Sequence, residues 1–411
     1  MPPAIQTPMR KMNNQRIDWP SAVICVGPDW YSASRVSAMH LVDGLYERGA
    51  TVLWVNPVPV RFPGVSRPDF WKKVQAKAKT HSRLLAQVRA NFHVYSPLYV
   101  PVFSRGGMLV NRHLVSSQVA ALRRLLHLES PLVLGAGFAA WYALDALREL
   151  PFVFHFADKI SAFREVSTVP AQRRILEQME SDLIRASTLA TCSSRSIYQY
   201  IRSRAGLDAG KVLYLPHGVN MRLFAQGTRH SCPEDMRKIR HPIAGYFGSL
   251  TQTNDKSTFE YAARCLTGWS FVFIGDVRGD YGSLASLPNV HFLGRKPYPQ
   301  IPAYGSQFDV SFMGWLPHEW ISNSFPVKTL EYLALGKPVV CSSEIPELEE
   351  RFPGLVRITS SPDEFTAALQ QEHANNTDER AAERQQRVSS ESWEQRVDTI
   401  LSILLQQGKN R

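Results

Sequence analysis

The run NSFPVKTLEYLALGKPVVCSS, Asn323 to Ser343, decides how the chain is read. It predicts a helix over 326–335 that leads straight into a buried strand. Ser322 or Ser324 is placed to cap the helix, and Pro326 fits its first turn because that position has no N–H to lose. Gly336 supplies the left-handed stop, and Pro338-Val339-Val340 opens the strand. In such a unit the helix N-terminus faces a cleft with free N–H groups, a ready anion site. Lys328 and Glu331, three residues apart, share one face near that end. A two-part ligand explains the pairing: a nucleoside diphosphate offers charge to Lys328 and hydroxyls to Glu331. An exposed ion pair on an ordinary helix explains it equally well from the spacing alone.

Outward from this unit the chain alternates. SAVICVG (Ser21–Gly27), ATVLWVNP, NFHVYSP, PLVLGAGF, PFVFHFAD and STLATCSS read as short buried strands. Helical patterns lie between them near 107–127, 139–149, 171–186 and 194–205. After the charged stretch 216–241 the alternation restarts with PIAGYFGSL, WSFVFIGD, NVHFLGR and FDVSFMGW. Apolar strands alternating with amphipathic helices imply parallel sheets covered on both faces. The expected class is α/β, with two doubly wound, Rossmann-like domains facing across a cleft. The division is a leader over 1–20, a first domain over 21–215, a linker over 216–241, a second domain over 242–385, and a C-terminal helix and tail over 386–411. In such sheets ligands bind outside the carboxyl ends of the strands.

Composition narrows the class. The 411 residues are 44% hydrophobic and 20% charged, enough for two cores. Five dispersed cysteines with no C-x-x-C point to reduced thiols and away from a disulfide frame or structural zinc. No apolar run reaches membrane-spanning length, and the opening MPPAIQTPMRKMNNQRIDWP lacks a secretory core. The net charge of +11 is uneven: residues 1–220 hold 27 Lys+Arg against 14 Asp+Glu, and the remainder holds 20 against 22. Such a basic half suggests contact with a polyanion or an anionic membrane. Its densest part, Arg67–Phe92, interleaves Phe70 and Trp71 with lysines and arginines. That pattern suits an anionic lipid surface or a solvated face; no nucleic-acid module is present.

The Lys328–Val340 run, K-x-x-E-Y-x-A-x-G-K-P-V-V, with YLPHGVNMRLF (Tyr214–Phe224), resembles the C-terminal domain of GT-B glycosyltransferases related to the GT4 group and to the bacterial glucuronosyltransferases of the GumK type. The similarity extends from about residue 21 to 405. It implies a nucleoside-diphosphate-sugar donor, with Lys328 on the phosphates and Glu331 on the ribose. Many retaining members carry a second Glu where this chain has Asn323, a position that usually faces the donor sugar, so the stereochemistry stays open. PFVFHFADKISAF resembles the segment that carries the proposed catalytic Asp of the GumK type, here Asp158. A carboxylate at a strand's end beside the cleft could take the acceptor hydroxyl's proton; an Asp capping its own loop is the plainer alternative. His155, on the same strand, lines the sugar site or is a satisfied core histidine.

Other candidates follow the same layout. Gly248 and Ser249, in GYFGSL, are candidates for close phosphate approach, and Ser324 joins them at the helix start. Arg295 is a candidate base contact. Trp315, His318 and Glu319, in GWLPHEW, are candidates for the sugar pocket, and Asp29 and Trp30, in GPDWYSASR, for the acceptor. The resemblance implies a lipid-linked or other saccharide acceptor, cell-surface or exopolysaccharide synthesis, and a peripheral position on the cytoplasmic face of the membrane. No cofactor is expected, and no metal, because no D-x-D occurs. Two rival readings remain. One is an NAD- or FAD-dependent oxidoreductase using the Gly135/Gly137 loop, with Asp158 as the ribose acid. The other is a non-catalytic sugar-binding member of the fold.

Overall fold

A computed structural model describes residues 20–32, 35–58, 84–101, 104–159, 170–204, 209–225 and 231–409. Two sheets carry the molecule. The first joins β1 (Ala22–Val26), β2 (Thr51–Val55), β3 (Leu85–Arg89), β4 (Phe92–Tyr95), β5 (Leu132–Gly135), β6 (Phe152–Phe156), β7 (Leu189–Cys192) and β8 (Val212–Tyr214), in the order β3-β4-β2-β1-β5-β6-β7-β8. Every pairing is parallel except the β3–β4 edge hairpin. The central strands are buried along their whole length, which is why they read as unbroken apolar runs.

The second sheet joins β9 (Ile243–Phe247), β11 (Ser270–Ile274), β13 (Val290–Phe292), β14 (Val310–Met313), β15 (Val339–Cys341) and β16 (Val356–Ile358), all parallel, in the order β13-β11-β9-β14-β15-β16. A small ladder, β10 (Leu250–Thr251) with β12 (Val277–Arg278), sits beside it. In both sheets the strand order reverses beside the first strand, between β1 and β5 and between β9 and β14. Those are the switch points where loops diverge and leave a crevice.

The last helix, Trp393–Lys409, crosses back from the second sheet to the first. Val397, Ile400 and Leu401 pack among Leu41, Leu45, Leu132 and Leu134. Each such side chain contributes about 1.5–3 kcal/mol by leaving water. The two passages of chain between the sheets run side by side. Val219 N–H donates to the Glu391 carbonyl at 2.8 Å, and Val219 bridges Ser392. Arg396 donates from Nε to the Pro216 carbonyl at 2.7 Å and pairs with Glu391, which Arg351 also engages.

The basic stretch Arg67–Phe92 falls outside the described residues up to Arg83. Its described end is the edge hairpin, where Phe92 is fully buried and Arg89 pairs with Asp43 at 2.9 Å. Phe92 thus serves the core, while Arg89 stays 40% exposed at the sheet edge.

Candidate active site

A cavity of about 470 Å³ opens between the sheets at the carboxyl ends of their strands. The first sheet contributes Phe138, His155 and Asp158; the second contributes Gly248, Trp315, Lys328 and Glu331. The volume suits a small-molecule ligand.

The helix from the opening stretch spans Val327–Ala334, with Pro326 at its N-cap and no side-chain cap. This corrects the expected Ser cap. Ser324 instead ends a preceding short helix, Glu319–Asn323, and donates to the Trp320 carbonyl at 2.8 Å, while Ser322 turns to the His318 carbonyl at 3.4 Å. The uncapped helix start, Pro326 to Lys328, lies on the cavity wall. At the other end Gly336 adopts φ 74°, the predicted left-handed stop.

Lys328 is held by aromatic neighbours. Its Nζ donates to the Tyr246 hydroxyl at 2.9 Å and lies 5.2 Å from the Trp315 ring centre. A side chain on Gly248 would meet Nζ at 2.6 Å, and Gly248 has φ +135°. The backbone conformation there calls for glycine, and a side chain would also push the Lys328 ammonium from its place. Tyr332, fully buried, accepts the Phe247 N–H at 3.0 Å and so pins the end of β9 to the helix. The K-x-x-E-Y pattern therefore has a third working member, legible in the motif but not assigned from it.

Glu331 is 8% exposed and accepts the Tyr298 hydroxyl at 2.9 Å. Burial raises its pKa to about 7, against the opposing pull of Tyr298 and Lys328. Tyr298 in turn meets His40 edge-on at 5.5 Å, and His40 stacks on Trp393 at 4.9 Å. Burial lowers the His40 pKa to about 3 and that of His155 to about 4, so both rings are neutral. His155 is satisfied by Thr191 and Ser37, each at 2.9 Å, while still lining the cavity.

Asp158 follows β6 and meets the second sheet across the cleft. Its Oδ1 accepts the Trp320 indole N–H at 3.0 Å and lies 3.4 Å from the Ser324 hydroxyl. Burial raises its pKa, and those two hydrogen bonds oppose the rise.

Several expected residues stand elsewhere, each for a local reason. Asp29 accepts the Tyr31 N–H, and Trp30 packs on Trp54 and Phe92, so this loop folds onto the sheet edge and neither reaches the cavity wall. His318 accepts the Trp320 N–H to cap its own helix. Glu319 turns across to the first sheet, to Lys159 at 2.8 Å and Arg173 at 3.6 Å. Asn323 donates to the Glu319 carbonyl at 2.7 Å, and its own carbonyl accepts from Ser194. Ser249 gives its carbonyl to Tyr246, and Arg295 is exposed on the loop after β13. None of His318, Glu319, Asn323, Ser249 or Arg295 is on the cavity wall.

In the Gly135/Gly137 loop, a side chain on Gly135 would strike the Phe152 ring at 2.7 Å and Ala140 at 3.0 Å. Its glycine answers to packing, while Gly137, at φ 94°, lines the cavity.

The overall fold matches solved structures over nearly the whole chain. Sucrose-phosphate synthase from Thermosynechococcus elongatus superposes with a TM-score of 0.68 at 16% identity, covering 95% of this chain and 100% of its own. Trehalose 6-phosphate synthase from Burkholderia multivorans gives 0.64 at 14%, covering 95% and 99%. Anabaena HepE, solved in complex with UDP and glucose, gives 0.63 at 15%, covering 94% and 99%. The fold is that of the GT-B glycosyltransferases. Within it, residues 241–375 match the family of glycosyl transferases group 1. A Bacillus subtilis protein named as a teichuronic acid biosynthesis glycosyltransferase, TuaH, is 24% identical over 229 residues. That match covers 54% of this chain and 58% of the relative. The Lys328–Glu331 helix lies inside the family match, on the GT-B cleft.

Proposed function

We propose that the protein transfers a sugar from a nucleoside-diphosphate sugar to a hydroxyl of a saccharide acceptor in cell-surface polysaccharide synthesis. The observation that carries this reading is the wall made by the uncapped helix start, Lys328 beside Gly248, and Glu331 one turn further on. Lys328 and the helix N–H groups neutralise the diphosphate, and Glu331 accepts the ribose hydroxyls. UDP is the first donor base to try, because HepE has been solved with UDP and with UDP-glucose.

Asp158 faces this wall from the first sheet and acts as general base. The acceptor oxygen bonds to the anomeric carbon as the bond from that carbon to the diphosphate breaks. The hydroxyl proton passes to the Asp158 carboxylate, and the nucleoside diphosphate leaves against Lys328. The leaving charge is met by these groups without a metal, and closure of the two sheets excludes water.

The acceptor is lipid-linked, and the protein sits on the cytoplasmic face of the membrane. Support comes from the helix Arg105–Leu125, which has no acidic residue and leaves Leu109 and Val110 59% and 55% exposed. Exposed Leu98 and Val100 run beside it, tied by Gln118 and Asn111.

Calorimetry with UDP-, GDP- and dTDP-sugars tests the donor site. One of them binds the wild type, and Lys328→Ala weakens it by about tenfold or more. A wild type that binds none of them, or a Lys328→Ala variant with unchanged affinity, overturns the reading.

A further inference from the structure

We infer that Trp320 is a positioning residue for Asp158: carried on the opposite sheet's short helix, its indole N–H fixes one carboxylate oxygen and leaves the other for the acceptor hydroxyl. The inference rests on the reading of Asp158 as the base.

Three observations support it. First, the 3.0 Å bond from Trp320 Nε1 is the one well-formed hydrogen bond to the Asp158 carboxylate among the described residues. Ser324 has a single hydroxyl proton, and its 2.8 Å contact with the Trp320 carbonyl outcompetes the 3.4 Å approach to Asp158. Asp158 Oδ2 has no hydrogen-bond partner among the described residues. Second, the helix Glu319–Asn323 is clamped onto the first sheet on either side of Trp320. Lys159, the neighbour of Asp158, and Arg173 hold Glu319. Ser194 donates to the Asn323 carbonyl at 2.6 Å, and Ser196 to that of Ser322 at 3.2 Å. Third, Ser324, Phe325 and Pro326 are all that separate this helix from the donor helix. The residue that orients the base and the helix proposed to hold the donor are thus carried on one short, continuous segment of the second sheet.

The charged surroundings keep this contact distinct. Lys159 pairs with Glu319, Arg173 bonds Glu177 at 2.9 Å and lies 3.6 Å from Glu319, and Glu180 is bonded by Tyr200 and lies 3.6 Å from Arg204. Among the described residues, only the indole donates squarely to the carboxylate. Its loss leaves the carboxylate buried with weaker support, so the base becomes harder to ionise and free to rotate.

Two measurements on the full chain decide the matter. In protein carrying 15N-labelled tryptophan, the Trp320 indole resonance is assigned by its loss in Trp320→Phe. It shifts as pH is lowered through the Asp158 titration and becomes insensitive in Asp158→Asn. An indole resonance unmoved by Asp158→Asn overturns the inference. The second measurement is the pH profile of UDP release from UDP-glucose. Trp320→Phe lowers kcat by about ten- to hundredfold, the loss of one hydrogen bond to a charged group. It moves the acid limb about one pH unit upward, with the donor KM changed less than about twofold. An unmoved acid limb, or a defect confined to KM, overturns the positioning role while leaving the base intact. Asp158→Asn retaining full UDP release removes the base itself, a different failure.

Discussion

Donor affinity should depend on pH through Glu331. The carboxylate is 8% exposed, and burial lifts its pKa to about 7. Ribose hydroxyls donate, so they bind the ionised form and must first drive off the proton. With a pKa near 7, about one molecule in eleven is ionised at pH 6 and about ten in eleven at pH 8. Affinity for UDP-glucose should therefore rise about tenfold between these pH values, equivalent to about 1.4 kcal/mol. The nearby imidazoles do not contribute, because His155 at about 4 and His40 at about 3 stay neutral throughout the window. Calorimetry in two buffers of different ionisation enthalpy gives both readouts. Binding should release about 0.9 proton at pH 6 and about 0.1 at pH 8, the protonated fractions of Glu331 before binding. Asp158, whose pKa is also raised, is separated by mutation: the slope disappears in Glu331→Gln and persists in Asp158→Asn. Equal affinity at pH 6 and pH 8, or the same slope in Glu331→Gln, refutes the reasoning.

Three further outcomes follow. Because Glu331 binds its proton more tightly folded than unfolded, the wild type loses stability as pH rises from about 4.5 to about 7, by about 3 kcal/mol in all. Glu331→Gln should accordingly unfold at higher denaturant than wild type at pH 8 and show no such gain at pH 4, the reverse of its effect on donor affinity. Gly248→Ala places a methyl carbon 2.6 Å from Lys328 Nζ at φ +135°; it should cost about 1–3 kcal/mol of stability in urea unfolding and abolish measurable UDP-glucose binding. Sedimentation with vesicles should show binding to anionic but not zwitterionic lipid, and Leu109→Asp with Val110→Asp should weaken it at least about tenfold. Unchanged sedimentation would remove that face as the contact.

The sequence by itself determined the architecture and one wall of the site. Buried parallel strands are short apolar runs wherever they occur, and a helix stop at φ 74° demands a residue such as Gly336. Periodicity and turn chemistry report local backbone and burial, so two doubly wound sheets were legible. The spacing of Lys328 and Glu331 on one helix face was legible for the same reason. Side-chain direction in the loops was not. His318, Glu319 and Asn323 stand next to the donor helix in sequence, yet local caps and partners on the first sheet turn them away from the cavity. What the tertiary structure alone decided are contacts between distant segments. Trp320 meets Asp158 across 162 positions, Tyr298 meets Glu331 across 33, and Trp393 returns from the last helix to stack on His40. These depend on how two chain crossings, riveted at Val219 and Glu391, set one sheet against the other. No local pattern encodes that angle, because it is the sum of packing over both cores.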